Sequence, residues 1–244
     1  MIQQDLIILF LDKDNSMILP SSIKSLNVDE LSSEFNSNKR VIINDFLSED
    51  ASDFMLDFLK EDMEEIWWFT SILAGSEPIY LNRVKDINKI EAAEIKAVEY
   101  FSNNKPSFSF DTTIKHKDAC SCDLCLFARL LNDKNCLDNF SSIVSTKLTK
   151  VTDYFARRYN QIQFKSPYNS KNNKIGFIYF LTKDWKPEWG GNIFLTEKEQ
   201  VKEVIVPSFN NLFLYDASSI ESMFISQVSA GVRDSFYFIE GFIE

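Results

Sequence analysis

Histidine is the scarcest functional side chain in this sequence, with a single copy, His116, among 244 residues. Because a cysteine nucleophile is normally activated by an imidazole base, one histidine argues against catalysis by a thiol. Glycine and proline are also rare, with six copies of each, which excludes a loop-rich or disordered chain. Against this scarcity stand 22 phenylalanines, so the sequence predicts a folded protein with thick aromatic packing.

Basic residues and long apolar runs are scarce as well. Lys and Arg total 26 against 36 acidic residues, which gives a formal net charge of -10. Because phosphate backbones and anionic membranes bind clustered Lys and Arg, we expect no nucleic-acid partner and no membrane partner. No run approaches the roughly 20 apolar residues that span a bilayer, and residues 1–12 lack the features of a secretory signal. A cytoplasmic location with reduced thiols is therefore the default expectation.

The first half of the chain alternates between strand-like and helix-like patterns. The predicted strands cover residues 6–11, 40–46 and 107–112, with mainly loops and one short helix between 15 and 39. The predicted helices begin at Ser48 or Asp50, and cover residues 89–101 and 137–144. The run Trp67-Trp68-Phe69 is interpreted as core or interface packing, since aromatic side chains bury large areas.

A cysteine-rich segment at residues 116–136 carries the first candidate site. Its candidate ligands are His116, Cys120, Cys122, Cys125 and Cys136. Three thiols and an imidazole could supply four ligands to tetrahedral zinc, and Cys136 could replace the histidine. The alternative is a set of reduced cysteines at a loop-to-helix junction. The spacing leaves both interpretations open, because it lacks the second half of a paired Cys-x-x-Cys site.

Within this segment, His116-Lys117-Asp118 has the His-x-Asp spacing of an iron-binding facial triad. Such a triad needs a second histidine, which the sequence does not contain. The pair also lies far upstream of the strands that such a motif normally precedes. We therefore expect no iron site at His116.

The most legible stretch is an apolar run from Ile175, a turn holding Trp185, Pro187 and Trp189, and the pair Gly190-Gly191 before another apolar run. It predicts a buried strand, a shaped loop and a second strand. Further motifs precede and follow this stretch along the chain. They are Arg158-Tyr-Asn160, Ser166-Pro-Tyr-Asn-Ser170, Ile178 to Gly191, Val206 to Asp216, and Val228 to Phe242 with Arg233.

This series resembles the iron(II)/2-oxoglutarate dioxygenases of the prolyl 4-hydroxylase-like branch. The resemblance covers roughly the C-terminal third of the chain closely and residues 41–60 more weakly. The resemblance implies an α+β fold, a double-stranded β-helix (jelly roll, cupin-like) with buttressing helices. We expect residues 1–146 to support the barrel and residues 147–244 to form its core, within one compact unit.

The same resemblance places the family's iron ligands on residues that do not match them. The first histidine falls on Tyr168, the carboxylate on Ser170, and the distal histidine on Met223 or its neighbour. A phenol, a hydroxyl and a thioether do not replace two imidazoles and a carboxylate for iron(II), so iron is not expected. Two features of the pocket for 2-oxoglutarate are kept, namely Arg233 and Tyr159.

Arg233 has two interpretations. It can pair with the carboxylate of a small molecule such as 2-oxoglutarate, or it can be a strand residue paired with an internal acid such as Asp216. Three functions follow from the resemblance. The favoured one is a pseudo-oxygenase that binds a protein partner, an active paralogue or a small carboxylate. The others are an enzyme that uses the pocket for chemistry without iron, and a conventional hydroxylase whose ligands are misaligned here. Whether the protein is an enzyme stays open.

Overall fold

A computed structural model describes residues 22–115, 120–168 and 174–244. Its strands join in one hydrogen-bonded antiparallel sheet, in the order β1-β10-β7-β12-β5-β4-β6-β11-β8-β9, with β2 paired to β4 and β3 paired to β2. The strands are β1 Arg40–Ile43, β2 Phe69–Ala74, β3 Ile79–Asn82, β4 Ser107–Thr112, β5 Val151–Tyr159, β6 Phe164–Tyr168, β7 Ile175–Phe180, β8 Ile193–Glu197, β9 Gln200–Ile205, β10 Leu212–Asp216, β11 Ser222–Ile225 and β12 Phe236–Ile243.

Five α-helices lie among the described residues: α1 Val28–Asn38, α2 Glu49–Asp57, α3 Ile87–Ser102, α4 Asp123–Leu131 and α5 Lys134–Val144. Helix α2 follows Ser48 and carries two acidic residues in its first turn. Negative charge at this end stabilises a helix, because the N-terminus is the positive end of the helix dipole. Helix α3 places Ile90 and Ala97 against strand β2, as its apolar spacing predicts. The predicted helices are confirmed, and α1 is the helix expected between residues 15 and 39.

The sheet has two differently packed faces. One face and the helices form an apolar core in which Phe127 of α4 stacks on Tyr179 of β7, with 5.1 Å between the ring centroids. The opposite face encloses a second core, rich in aromatic rings, that fills the inside of the curled sheet. Because side chains alternate between the faces of a strand, Tyr179 belongs to the first core while Ile178 and Phe180 belong to the second. This division separates a supporting layer from a barrel interior.

The turn between β7 and β8 adopts the shape predicted from its sequence. Trp185 donates its indole N–H to the carbonyl oxygen of Gly190 at 2.8 Å, and its ring meets that of Trp189 edge-on. Gly190 has a φ of 84°, and a Cβ there would lie 2.0 Å from the carbonyl oxygen of Gln227. Glycine is therefore required at this position, both by backbone conformation and by space.

Some predictions made from the sequence differ from the structure, and others are not tested by it. Trp68 is fully buried, whereas Trp67 is 53% exposed, so only one indole of the pair packs in the core. The strand expected at residues 6–11 lies outside the described residues. Strand β1 pairs with β10, and β4 pairs with β5, so the sheet is continuous across residue 146, and the division there stays a prediction. Among the described residues, none of the helices has the length and apolarity to cross a membrane.

Candidate functional site

Strands β6 and β11 bring together two of the three positions that the resemblance assigns to iron ligands. Tyr168 and Met223 are cross-strand partners, and Ser170 lies outside the described residues. Met223 is 2% exposed and belongs to the aromatic core inside the barrel. A thioether in such surroundings fills volume without needing a polar partner.

The barrel interior around Met223 is packed with rings. Tyr159, which the resemblance assigns to the 2-oxoglutarate pocket, is 1% exposed. Its ring stacks on Phe110 at 5.4 Å and on Phe238 at 5.6 Å between centroids, and it also lies near Phe236. These contacts give this part of the barrel interior an apolar and aromatic character.

Arg233 lies outside this interior. It is exposed and belongs to the loop that precedes β12, where it lines a cavity of about 410 Å³ together with Arg83, Asn160 and Ser235. We call this space the outer cavity. Asp216, the internal acid considered for Arg233, instead accepts hydrogen bonds from the backbone and hydroxyl of Ser218. The other charged residues that line this cavity are Arg83, Glu94 and Asp234.

A buried carboxylate organises the floor of the outer cavity. Asp111, which is fully buried, accepts from Asn160 at 2.7 Å, from Thr70 at 2.8 Å and from Arg158 at 3.0 Å. Arg158 also donates to Glu65 at 2.8 Å. This hydrogen bond lowers the pKa of Glu65 below its ordinary value, despite an opposing effect of burial. The network holds Asn160 at the cavity wall.

The register places two cations and one acid on the inner face of the sheet, a set that sequence reasoning missed. Arg157 pairs with Phe238 of the inner core, Lys165 pairs with Ile225, and Glu240 pairs with Ile178. Cross-strand partners project to the same side of a sheet, so the three side chains face the barrel. We call Arg157, Lys165 and Glu240, with their flanking rings Phe108, Phe110 and Phe155, the barrel mouth. All three charged residues are half-buried.

Close contacts hold these charges in place. The Nε of Arg157 donates to Glu240 at 2.7 Å, and its guanidinium lies 5.0 Å from the Phe110 ring centroid and 4.8 Å from that of Phe155. Burial alone would raise the pKa of Glu240, but the charges of Arg157 and Lys165 outweigh it and lower that pKa. Burial also lowers the pKa of Lys165, to about 8. The sequence offers one signal for Arg157. It lies two residues before Tyr159, and because side chains alternate between the two faces of a strand, both residues lie on the same face.

The three predicted cysteine ligands of residues 120–125 come together, whereas the other candidates do not join them. The Sγ atoms of Cys120, Cys122 and Cys125 all lie within 4.8 Å of one another. Cys136 lies on the buried side of α5, in the helical core, and is not part of this group. His116 lies outside the described residues. Burial raises the pKa of Cys122 and of Cys125. We call the three thiols the cysteine cluster.

Comparison with known proteins agrees with this architecture. Residues 147–238 match the sequence model of the 2OG-Fe(II) oxygenase superfamily. The chain has the fold of the 2OG-Fe(II) oxygenases. The resemblance drawn from the motifs is thereby confirmed, as is the double-stranded β-helix with buttressing helices. No curated protein matches the chain in sequence.

Solved structures of 2OG-Fe(II) oxygenases align along most of the chain. An oxidoreductase of this family from Burkholderia pseudomallei has a TM-score of 0.58 at 10% identity, with 91% of this chain and 92% of that chain covered. A prolyl hydroxylase from Trichoplax adhaerens, solved with a hypoxia-inducible factor peptide, has a TM-score of 0.57 at 16% identity and covers 88% of each. A prolyl-4-hydroxylase from Pseudomonas putida has a TM-score of 0.51 at 12% identity, with 91% and 97% covered. At these identities the likeness establishes the fold.

Proposed function

We propose that this protein is a pseudo-oxygenase, which keeps the 2OG-Fe(II) oxygenase fold and acts by binding rather than by iron-dependent oxidation. The observation that supports the proposal is the pairing of Tyr168 with Met223 across two strands, since the resemblance assigns the first and the distal histidine to these two positions. Iron(II) in an open facial triad prefers imidazole and carboxylate donors. The 244 residues contain one histidine, so they cannot supply the two imidazoles.

The ligand class proposed for this binding role is a small carboxylate held by Arg233. Its guanidinium can form two parallel hydrogen bonds to a carboxylate, and Arg83 adds a second positive charge to the lining of the outer cavity. Asn160 and Ser235 supply polar groups to the same lining, and the hydroxyl of Ser235 donates to the side-chain oxygen of Asn160 at 2.7 Å. A cavity of about 410 Å³ falls in the size range of small-molecule sites.

Metal content and turnover test the loss of oxidation. Purified protein incubated with iron(II) and 2-oxoglutarate is expected to hold far less than one iron per chain and to produce no succinate above the rate without protein. Stoichiometric iron together with succinate formation would overturn the proposal and support a conventional hydroxylase whose ligands are misaligned.

Thermal stabilisation tests the carboxylate. We expect succinate or 2-oxoglutarate to raise the melting temperature of the wild type, because a ligand that binds only the folded state stabilises it. Arg233→Ala should abolish this shift. Lys198→Ala is the matched control, since Lys198 is an exposed cation in the turn between β8 and β9 and should leave the shift unchanged. If no diacid raises the melting temperature of the wild type, binding of a small carboxylate is excluded, and the proposed ligand becomes a protein partner.

We also propose that the cysteine cluster binds structural zinc, supported by the convergence of its three Sγ atoms. Tetrahedral zinc takes thiolate ligands readily, and the remaining ligand would come from His116 or Cys136. Measurement of zinc per chain tests this proposal. Cys122→Ser should remove the metal, and only one of His116→Ala and Cys136→Ala should weaken its retention. Protein purified from zinc-supplemented cells that contains no zinc would exclude the site.

A further inference from the structure

We propose that Lys165 forms an imine with the carbonyl group of a small oxo acid bound at the barrel mouth. This goes beyond the binding role proposed above, because it assigns covalent chemistry to the barrel and needs no iron. It does not depend on Arg233 or on the outer cavity.

The position of Lys165 supports this inference. Its cross-strand partners are Phe108 on β4 and Ile225 on β11, and Ile225 belongs to the inner core. The amine lies over the ring of Phe110, with 5.4 Å from Nζ to the ring centroid. The residue is half-buried. Its amine is therefore carried onto the aromatic surface of the barrel mouth.

The electrostatics of the barrel mouth favour the neutral amine. Burial and the charge of Arg157 lower the pKa of Lys165, against the opposing influence of Glu240 and Tyr80, and the result is about 8. At pH 7.5 roughly a quarter of such an amine is neutral, compared with about 0.1% for a lysine of ordinary pKa. Lysines desolvated next to another cation are known to serve as nucleophiles for carbonyl groups.

The step is balanced without any oxidant or reductant. The lone pair of the neutral Nζ attacks the carbonyl carbon, and the C=O π electrons move to oxygen, which takes a proton. The nitrogen loses one proton to give the neutral carbinolamine. Its hydroxyl group then takes a second proton and leaves as water while the nitrogen lone pair forms the C=N bond, and the nitrogen gives up its remaining proton to leave the neutral imine. Overall, the amine and the carbonyl compound give an imine and one water molecule. The carboxylate of Glu240, on the same face, can accept and return the proton that moves.

Arg157 accounts for the choice of an oxo acid. A guanidinium has five N–H donors, and the observed bonds to Glu240 and Thr112 use the Nε and one terminal nitrogen. Contacts with Phe110 and Phe155 fix the plane of the group. Donors therefore remain for a ligand carboxylate, close to the amine. The surrounding rings suit an apolar body of small size.

Reductive trapping tests the imine. The full chain is incubated at pH 7.5 with pyruvate and cyanoborohydride, and peptide mass mapping locates the reduced adduct. We expect at least tenfold more adduct at Lys165 than at any other lysine, and none at that position in Lys165→Arg, which keeps the charge but lacks a nucleophilic amine. Lys174→Arg is the matched control, because Lys174 is also half-buried but pairs with Glu244, and its adduct pattern should equal that of the wild type.

A second measurement tests the role of Arg157, in a variant whose circular dichroism spectrum matches that of the wild type. In Arg157→Gln, the yield at Lys165 with pyruvate is compared with the yield with propionaldehyde in the same sample. The ratio should fall severalfold relative to the wild type. An unchanged ratio would exclude carboxylate recognition by Arg157. Absence of adduct at Lys165 in the wild type, or adduct spread evenly over the lysines, would overturn the imine itself.

Discussion

At the residue scale, Lys165 links the position of one side chain to the stability of the whole protein. Its pKa falls from an ordinary value of 10.5 to about 8 on folding. Between these two values the unfolded chain binds more protons than the folded one, so folding stability rises with pH across that window. Below pH 8 both states are protonated, and the cost of burying the charge is present in full. The difference corresponds to at most about 3 kcal/mol, reduced by the partial exposure of the side chain.

We therefore predict that the free energy of unfolding of the wild type, measured in urea between pH 7.5 and 9.5, rises relative to that of Lys165→Met. Lys165→Arg retains a positive charge at every pH in this range, so it should run parallel to Lys165→Met while the wild type gains on both. Three parallel curves would show that the amine is not desolvated in the folded state.

Single residues also show what sequence could and could not reveal about the site. The substituted positions Tyr168 and Met223 were found because the family motifs are ordered along the chain, and the structure pairs them across two strands. Arg157 and Lys165 were missed because they lie on different strands and become neighbours only through the sheet register. One of the two interpretations of Arg233 put it on a strand, but β12 begins at Phe236, so the motif alone did not define the element that carries this arginine.

At the element scale, the turn between β7 and β8 depends on one backbone position. A Cβ at residue 190 would lie 2.0 Å from the backbone carbonyl oxygen of Gln227, and the φ of 84° is strained for any L side chain. We predict that Gly190→Ala destabilises the protein by about 2–4 kcal/mol, because backbone strain and a clash with rigid main chain add together. The carbonyl of Gly190 also receives the indole N–H of Trp185, so Trp fluorescence should change.

The matched control for this substitution is Gly231→Ala. A Cβ at Gly231 would meet nothing within 4 Å, so its effect on the free energy of unfolding should stay within about 0.5 kcal/mol. If Gly190→Ala changed the free energy of unfolding in urea as little as Gly231→Ala, the β7–β8 turn would tolerate a side chain and its glycine pair would not be a structural requirement.

Elements with strong local signals were predictable, and those defined by tertiary packing were less so. The helix at Ile87–Ser102 and the strand at Ser107–Thr112 follow from apolar periodicity and from the proline between them. The short strands β2 and β3 were not anticipated, because the run around Trp68 carries no clear alternation. The pairing of β2 with β4 is a long-range contact that local patterns do not encode.

At the scale of the whole molecule, two cores hold the fold together. The helical layer packs on one face of the sheet and aromatic rings fill the other. Met223 is one of the residues that fill the inner core. Under the proposed pseudo-oxygenase role, a packing residue at this position adds to the core.

The cysteine cluster offers a test of whether metal binding stabilises the molecule as a unit. It precedes α4, whose Phe127 enters the helical core, and Cys125 accepts a hydrogen bond from Tyr154 on β5. Zinc there would fasten the helix to the sheet, and a metal at a hundredfold excess over its dissociation constant adds about 2.7 kcal/mol. We predict that chelation lowers the melting temperature by about 5–10 °C.

The pH dependence of this effect has a definite sign. Because burial raises the pKa of Cys122 and of Cys125, zinc must displace protons from both thiols, so zinc affinity should increase between pH 6 and 8. Cys122→Ser should melt at the same temperature with and without chelator. Cys136→Ala, which removes a buried thiol outside the cluster, should be destabilised yet keep the response to chelator if His116 is the fourth ligand. A wild type whose melting curve ignores both chelator and added zinc would show that the three thiols serve packing alone.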